Sequence, residues 1–195
     1  MLFDLTASET SPLSLSEEDV AALAACERGT ILLDVAARAD ATLIALTGTN
    51  GRITLSLRAG RLDGEQVLGA VGRPEGPSGA GSAGGIQRRV LDAEDALGLD
   101  DGRPHTIAVT VNETGTHLYA DGYECFSTTL TAFLAQIGLT DVRIDPDGIA
   151  AVTRLAAWAE PLSDRAVMAQ SLAATPLVQF AASELSARDA RRAGA

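Results

Sequence analysis

The run Asp101-Gly102-Arg103-Pro104-His105-Thr106-Ile107-Ala108-Val109-Thr110-Val111-Asn112-Glu113-Thr114-Gly115-Thr116-His117-Leu118-Tyr119-Ala120-Asp121-Gly122 alternates strand and turn signals. Ile107, Val109 and Val111 alternate with Ala108, Thr110 and Asn112, the period-two pattern of a half-buried strand. Glu113-Thr114-Gly115 turns the chain into His117 to Ala120, and Asp121-Gly122 turns it again into Tyr123 to Ser127.

The same logic extends outward. Ile53, Leu55 and Leu57 alternate with Thr54, Ser56 and Arg58, so the second set forms a polar outer face. Before them stand Ile31 to Ala36, an apolar run interrupted by Asp34, and Thr42 to Thr47, which ends in the hairpin signal Gly48-Thr49-Asn50-Gly51. Val142 to Ile144 and Ala150 to Trp158 close the series. Short strands joined by Gly, Asp and Asn turns imply an all-β fold, an antiparallel β-sandwich with short peripheral helices. Residues 13–26 read as a lead-in strand and a helix N-capped by Ser16, with Glu17, Glu18 and Asp19 in its first turn. Two further helical patterns run from Asp164 to Ala174 and from Ser183 to Arg192. The sandwich is expected to span residues 13–172, and 173–195 to form a tail or linker helix.

The chain has 195 residues, enough for one sandwich and a tail, and a formal net charge of −11. That charge repels nucleic acid and anionic membrane surfaces. All 15 basic residues are arginine, which suits bidentate recognition of carboxylates and excludes lysine Schiff-base chemistry. No apolar stretch is long enough for a transmembrane helix. The first ten residues lack the order of a signal peptide, so the expected location is cytoplasmic if the chain is complete and extracellular if it is cut from a secreted enzyme. Cys26 and Cys125 lie in no metal-binding spacing; they read as two core thiols or as one disulfide.

Three segments in order resemble the lectin-like sandwich domain that precedes the catalytic propeller of bacterial sialidases, a branch of the concanavalin A-like, laminin G-type superfamily. The first is Gly29-Thr30-Ile31-Leu32-Leu33-Asp34-Val35, followed by Leu43 to Thr47. The second is the hairpin from Asp101 to Gly122. The third runs from Phe133 through Val142-Arg143-Ile144 and Gly148-Ile149 to Trp158 and Pro161-Leu162-Ser163. The resemblance implies a concanavalin A-like jelly roll and a carbohydrate-binding or interaction module. It makes His105 a structural histidine at a strand start. The propeller's Arg-Ile-Pro and Ser-x-Asp-x-Gly-x-Thr-Trp motifs are missing, so no sialidase catalytic part is expected here.

The ligand-binding residues it suggests are the arginines Arg58, Arg73, Arg88 and Arg89, which would meet on the outer face and grip a carboxylate. His117 shares a strand face with Tyr119 and Asp121, and that face reads either as a ligand or acid–base site or as a solvated surface. Tyr123 and Trp158 complete the short roster of aromatics able to stack on a sugar. Gly79-Ala80-Gly81-Ser82-Ala83-Gly84 fits a dinucleotide motif by letter, but no strand precedes it and no helix follows. Pro74 to Gly85 is therefore expected to be a flexible loop or a lid. Asp145-Pro146-Asp147-Gly148 offers too few oxygens for calcium and reads as a turn. No cofactor and no metal is implied. The expected partner is a carbohydrate or a small acidic ligand. Two alternatives stand beside it: an intracellular enzyme of cyclase or isomerase type with its pocket on the concave face, and a structural domain that forms a homodimer.

Overall fold

A computed structural model describes residues 1–7, 13–68, 87–92, 98–129, 131 and 133–174. In chain order the elements are β1 (Phe3–Thr6), α1 (Glu17–Ala24), β2 (Gly29–Ala36), β3 (Ala41–Gly48), β4 (Gly51–Arg58), β5 (Arg61–Leu68), β6 (Gln87–Asp92), β7 (His105–Val111), β8 (Thr116–Ala120), β9 (Tyr123–Thr128), α2 (Leu134–Ile137), β10 (Leu139–Ile144), β11 (Ala151–Trp158) and α3 (Asp164–Ala174). The strands form a six-stranded sheet in the order β1-β11-β2-β7-β8-β9 and a five-stranded sheet in the order β10-β3-β4-β5-β6. Every pairing is antiparallel. The expected all-β sandwich is the fold.

The core lies between the sheets. Ile31, Leu33, Val35, Ile107, Val109, Val111 and Leu118 come from one side, and Ile44, Leu46, Ile53, Leu55, Leu57 and Leu62 from the other. A residual apolar void of about 20 Å³ remains among Ile31, Ile44, Ile53, Val109 and Phe133. That is room for about one water-sized probe in an apolar lining, so the space between the sheets is packed core.

β2 is buried along almost its whole length, which explains why its sequence does not alternate. Its inner side chains enter the core. Its outer ones, Thr30, Leu32 and Asp34, are buried as well. Leu32 packs with Ala108, Tyr119 and Val167, and Trp158 and Leu162 border that cluster. α3 supplies Val167 and so seals this outer face of the six-stranded sheet. Tyr119 is therefore core, its hydroxyl donating to Asp164 Oδ1 at 2.8 Å. Tyr119, expected among the ligand residues, is 2 % exposed.

The N-terminal reading needs one adjustment. Leu13 and Leu15 pack against the core without forming a strand. The edge strand is Phe3–Thr6, upstream of residue 13, and it pairs with β11. α1 begins as expected: Ser16 and Asp19 form a reciprocal capping box. The second expected helix, Ser183 to Arg192, lies outside the described residues, as do Arg73 and the segment from Pro74 to Gly85, and the expected tail boundary between residues 172 and 173 falls within α3. Cys26 and Cys125 are not joined in a disulfide; their Sγ atoms lie 3.4 Å from Ala22 O and 3.3 Å from Leu118 O. Asp145-Pro146-Asp147-Gly148 is a turn: Asp145 Oδ1 accepts from the N–H groups of Ile149 and Ala150, and Asp147 Oδ2 from Thr42 N. Among the described residues no helix is long and apolar enough to cross a membrane.

Candidate functional site

The outer face of the five-stranded sheet follows from register and alternation. Thr47 pairs with Arg52 and Asp141; Ala45 pairs with Thr54 and Arg143; Thr42 pairs with Ser56. On β5 the same rows continue through Val67, Glu65 and Asp63. The middle of the face is therefore short: Thr42, Ala45, Thr47, Thr54 and Ser56. Two charged pairs flank that floor. Arg52 Nη2 lies 3.0 Å from Glu65 Oε2, and Arg143 Nε lies 2.9 Å from Asp141 Oδ2. Short side chains between longer paired ones make a trough.

Among the described residues, the strand position of Arg58 lies apart from those of Arg88 and Arg89. Arg58 sits at the far end of β4, directly opposite Arg61 across the turn at Ala59 and Gly60, both of which have positive φ. Both arginines are exposed, and neither has an acid partner among the described residues. Arg88 and Arg89 pair instead with Val67 and Gln66. Arg88 is thus six strand positions from the level of Arg58, or about 20 Å along the sheet. The row that Arg88 does share runs through Val67 to Arg52. Sequence reasoning missed Arg52 because it directly follows the Asn50-Gly51 turn. The alternation that placed Arg58 outward places Arg52 outward too, and that was the available signal.

The aromatic and histidine candidates belong to the other sheet and cannot join this face. His117 is half-buried on β8, its Nε2 3.1 Å from Thr114 Oγ1 and its Nδ1 3.4 Å from the Glu124 carboxylate. Tyr123 opens β9 and is 69 % exposed. Tyr119 lies beneath α3, so of the face it shares with His117 and Asp121 the helix covers the Tyr119 position.

His105 is structural. Its Nδ1 is 2.8 Å from Asp121 Oδ2 and its Nε2 3.1 Å from Asp101 Oδ1. Asp121 also accepts from Thr106 N, and this ties the β8–β9 turn to the start of β7. Burial alone would lower the pKa of the ring, but the bonds to Asp121 and Asp101 together outweigh it and hold it above 6.5. A raised folded-state pKa stabilises the fold fully below the unfolded value and is lost as pH rises through the folded one. The urea midpoint of the protein is accordingly expected to fall as pH rises above about 6.5, and His105→Gln to flatten that part of the profile. Superimposable profiles for the two proteins would remove His105 as the cause.

No family model matches the sequence, and the search of curated proteins returned no match. Solved structures do match. The CBM40 domain of the Ruminococcus gnavus IT-sialidase aligns with 87 % of this chain and 98 % of its own, at 17 % identity and a TM-score of 0.58. The same domain bound to α2,3-sialyllactose gives 17 % identity and 0.57 over the same shares. The binding domain of botulinum neurotoxin DC, in complex with SialylT, matches at 12 % identity and 0.52, over 87 % of this chain and 39 % of that one. Likeness at this level of identity is a statement about architecture. The chain has the lectin-like β-sandwich fold of the bacterial sialidase domain.

Proposed function

We propose that this protein is a carbohydrate-binding module whose ligand lies in the trough of the five-stranded sheet, with an acidic sugar oriented by Arg52. The observation that carries the reading is the short-chain floor of Ala45, Thr47 and Thr54 between the Arg52–Glu65 and Arg143–Asp141 pairs. A sugar ring needs a shallow floor. Its carboxylate needs a guanidinium already held in place, and Glu65 holds Arg52. The fold supports the class of ligand: a sialidase domain of like architecture has been solved with sialyllactose.

Calorimetric titration of the wild-type chain with 3′-sialyllactose and with lactose tests this. Binding of the sialylated sugar is expected, and Arg52→Ala should weaken it at least about tenfold, the effect of one charge-assisted contact. The melting temperature should hardly move, since an exposed ion pair contributes at most about 1 kcal/mol. An Arg52→Ala protein that binds as the wild type does, or a wild type that takes up neither sugar at about 10 mM, overturns the assignment.

A further inference from the structure

We propose that the polar pocket at the end of the sandwich where β2 and β8 begin is a second binding site, for a neutral hexopyranose unit. The pocket has a volume of about 340 Å³ and is lined by Glu27, Arg28, Asn112, Glu113, Thr131 and Gln136. Small-molecule pockets begin at about 300 Å³, so one sugar ring is the appropriate size of occupant.

The entry to β2, the β7–β8 turn, Thr131 and α2 build it, and three of these are tied by hydrogen bonds or ion pairs. Ala135 N donates to Cys26 O at 2.9 Å and ties α2 to the entry of β2. Arg28 Nη1 meets Glu113 Oε1 at 2.6 Å and joins that entry to the turn. Within the turn, Asn112 N donates to Gly115 O, and Thr114 Oγ1 stands 3.1 Å from His117 Nε2.

The two carboxamides define the chemistry. Asn112 Oδ1 accepts from the backbone N–H groups of Thr114 and Gly115 and from the Thr114 hydroxyl. Gln136 Oε1 accepts from Phe133 N at 2.8 Å. Both oxygens accept from the backbone, so both –NH2 groups are held as oriented donors. Glu27 and Glu113 supply acceptors and Arg28 another donor. Preset donors and acceptors side by side suit hydroxyl groups, each of which both donates and accepts.

Two other ligand classes fit worse. With two carboxylates against one guanidinium the lining is net negative, which disfavours an anion. A hard cation would need amide oxygens that already accept from the backbone, and among the described residues no group of three or more His, Cys, Asp or Glu is arranged to hold a metal ion. The site is also distinct from the trough. α2 stands between them, its C-terminal end receiving the β3–β4 turn through Thr49 N and Asn50 N.

The test is a titration of the full chain with methyl α-D-galactopyranoside and methyl α-D-mannopyranoside, followed by amide NMR. Either sugar should shift the side-chain NH2 signals of Asn112 and Gln136 with millimolar affinity. Thr131→Arg, a change at an exposed loop position that fills the pocket, should abolish those shifts without altering the melting temperature. Arg52→Ala should leave them intact, which separates this site from the trough. Absence of the shifts with both sugars, or their persistence in Thr131→Arg, overturns the proposal. So does a response of these amides to 3′-sialyllactose alone, which would make the pocket part of the acidic-sugar site.

Discussion

Replacing Arg154 by alanine is expected to destabilise the fold by about 1–3 kcal/mol, the cost of leaving the buried Asp34 carboxylate without its guanidinium while Asp4 and Gln170 lose their donor. For a domain of this size that corresponds to a melting temperature lower by roughly 2–12 °C. Arg154 lies on the outer side of β11, only 17 % exposed. Its Nε and Nη2 grip Asp4 at 2.8 and 2.7 Å, its Nη2 also donates to Gln170 Oε1 at 2.9 Å, and its Nη1 is 3.8 Å from Asp34. One guanidinium thus ties the first strand and the last helix to the middle of the six-stranded sheet. Asp34 is buried and otherwise held by the Thr106 hydroxyl at 2.7 Å; burial pushes its carboxyl up in pKa. Without Arg154 that charge is stranded.

Two controls make the claim specific. The hydrogen bond from Arg154 holds Asp4 below 3.8, so its stabilising share is present above that value and is lost as pH falls through the folded one. The gap between wild type and Arg154→Ala should therefore be full at neutral pH and shrink in acid. Arg154→Met combined with Asp34→Asn should recover much of the loss, because an apolar stem and a neutral amide leave no stranded charge at Asp34. A gap that is the same at every pH would mean that lost packing, and not charge, is the cause.

The same network shows where sequence reading succeeds and where it stops. Strands with a clean alternation, such as β4 and β7, are legible because one face meets apolar side chains and the other does not. α1 is legible from its cap, and α3 runs over the span expected from its helical pattern. β5 escaped notice because its buried positions include Gly64 and Gln66, so the apolar alternation is broken at the two places that matter. β1 was missed because four residues carry too little pattern to read. Asp34 within an apolar run was visible as an anomaly. Its partner, 120 positions away at Arg154, is a product of strand order, which no local pattern encodes. The site divides in the same way. That β4 presents arginines outward was legible. Which of them shares a row with which, and that α3 would cover Tyr119, depended on register and on the choice of face.

Among the described glycines, Gly115→Ala is expected to have the largest effect, at least about 4 kcal/mol. Gly115 closes the β7–β8 turn at φ +147, in a region L side chains rarely adopt. A Cβ there would clash with the carbonyl oxygen of Thr128 and stand 2.7 Å from its carbon. Those are backbone atoms of β9, next to the Thr116–Thr128 pairing, and cannot rotate away as a side chain would. The methyl can be accommodated only by parting β8 from β9, and the turn that holds Asn112 and Glu113 in the end pocket would move with it. Gly148→Ala separates this clash from simple left-handed strain. Gly148 has φ +66, and a Cβ there meets nothing within 4 Å, so its cost should be only the conformational one of about 1–2 kcal/mol. Urea denaturation of the two variants in parallel checks the difference. If Gly115→Ala costs no more than Gly148→Ala, β9 yields at Thr128 and the close approach is no constraint on the turn; if it costs several times more, the β8–β9 contact sets the shape of the pocket wall.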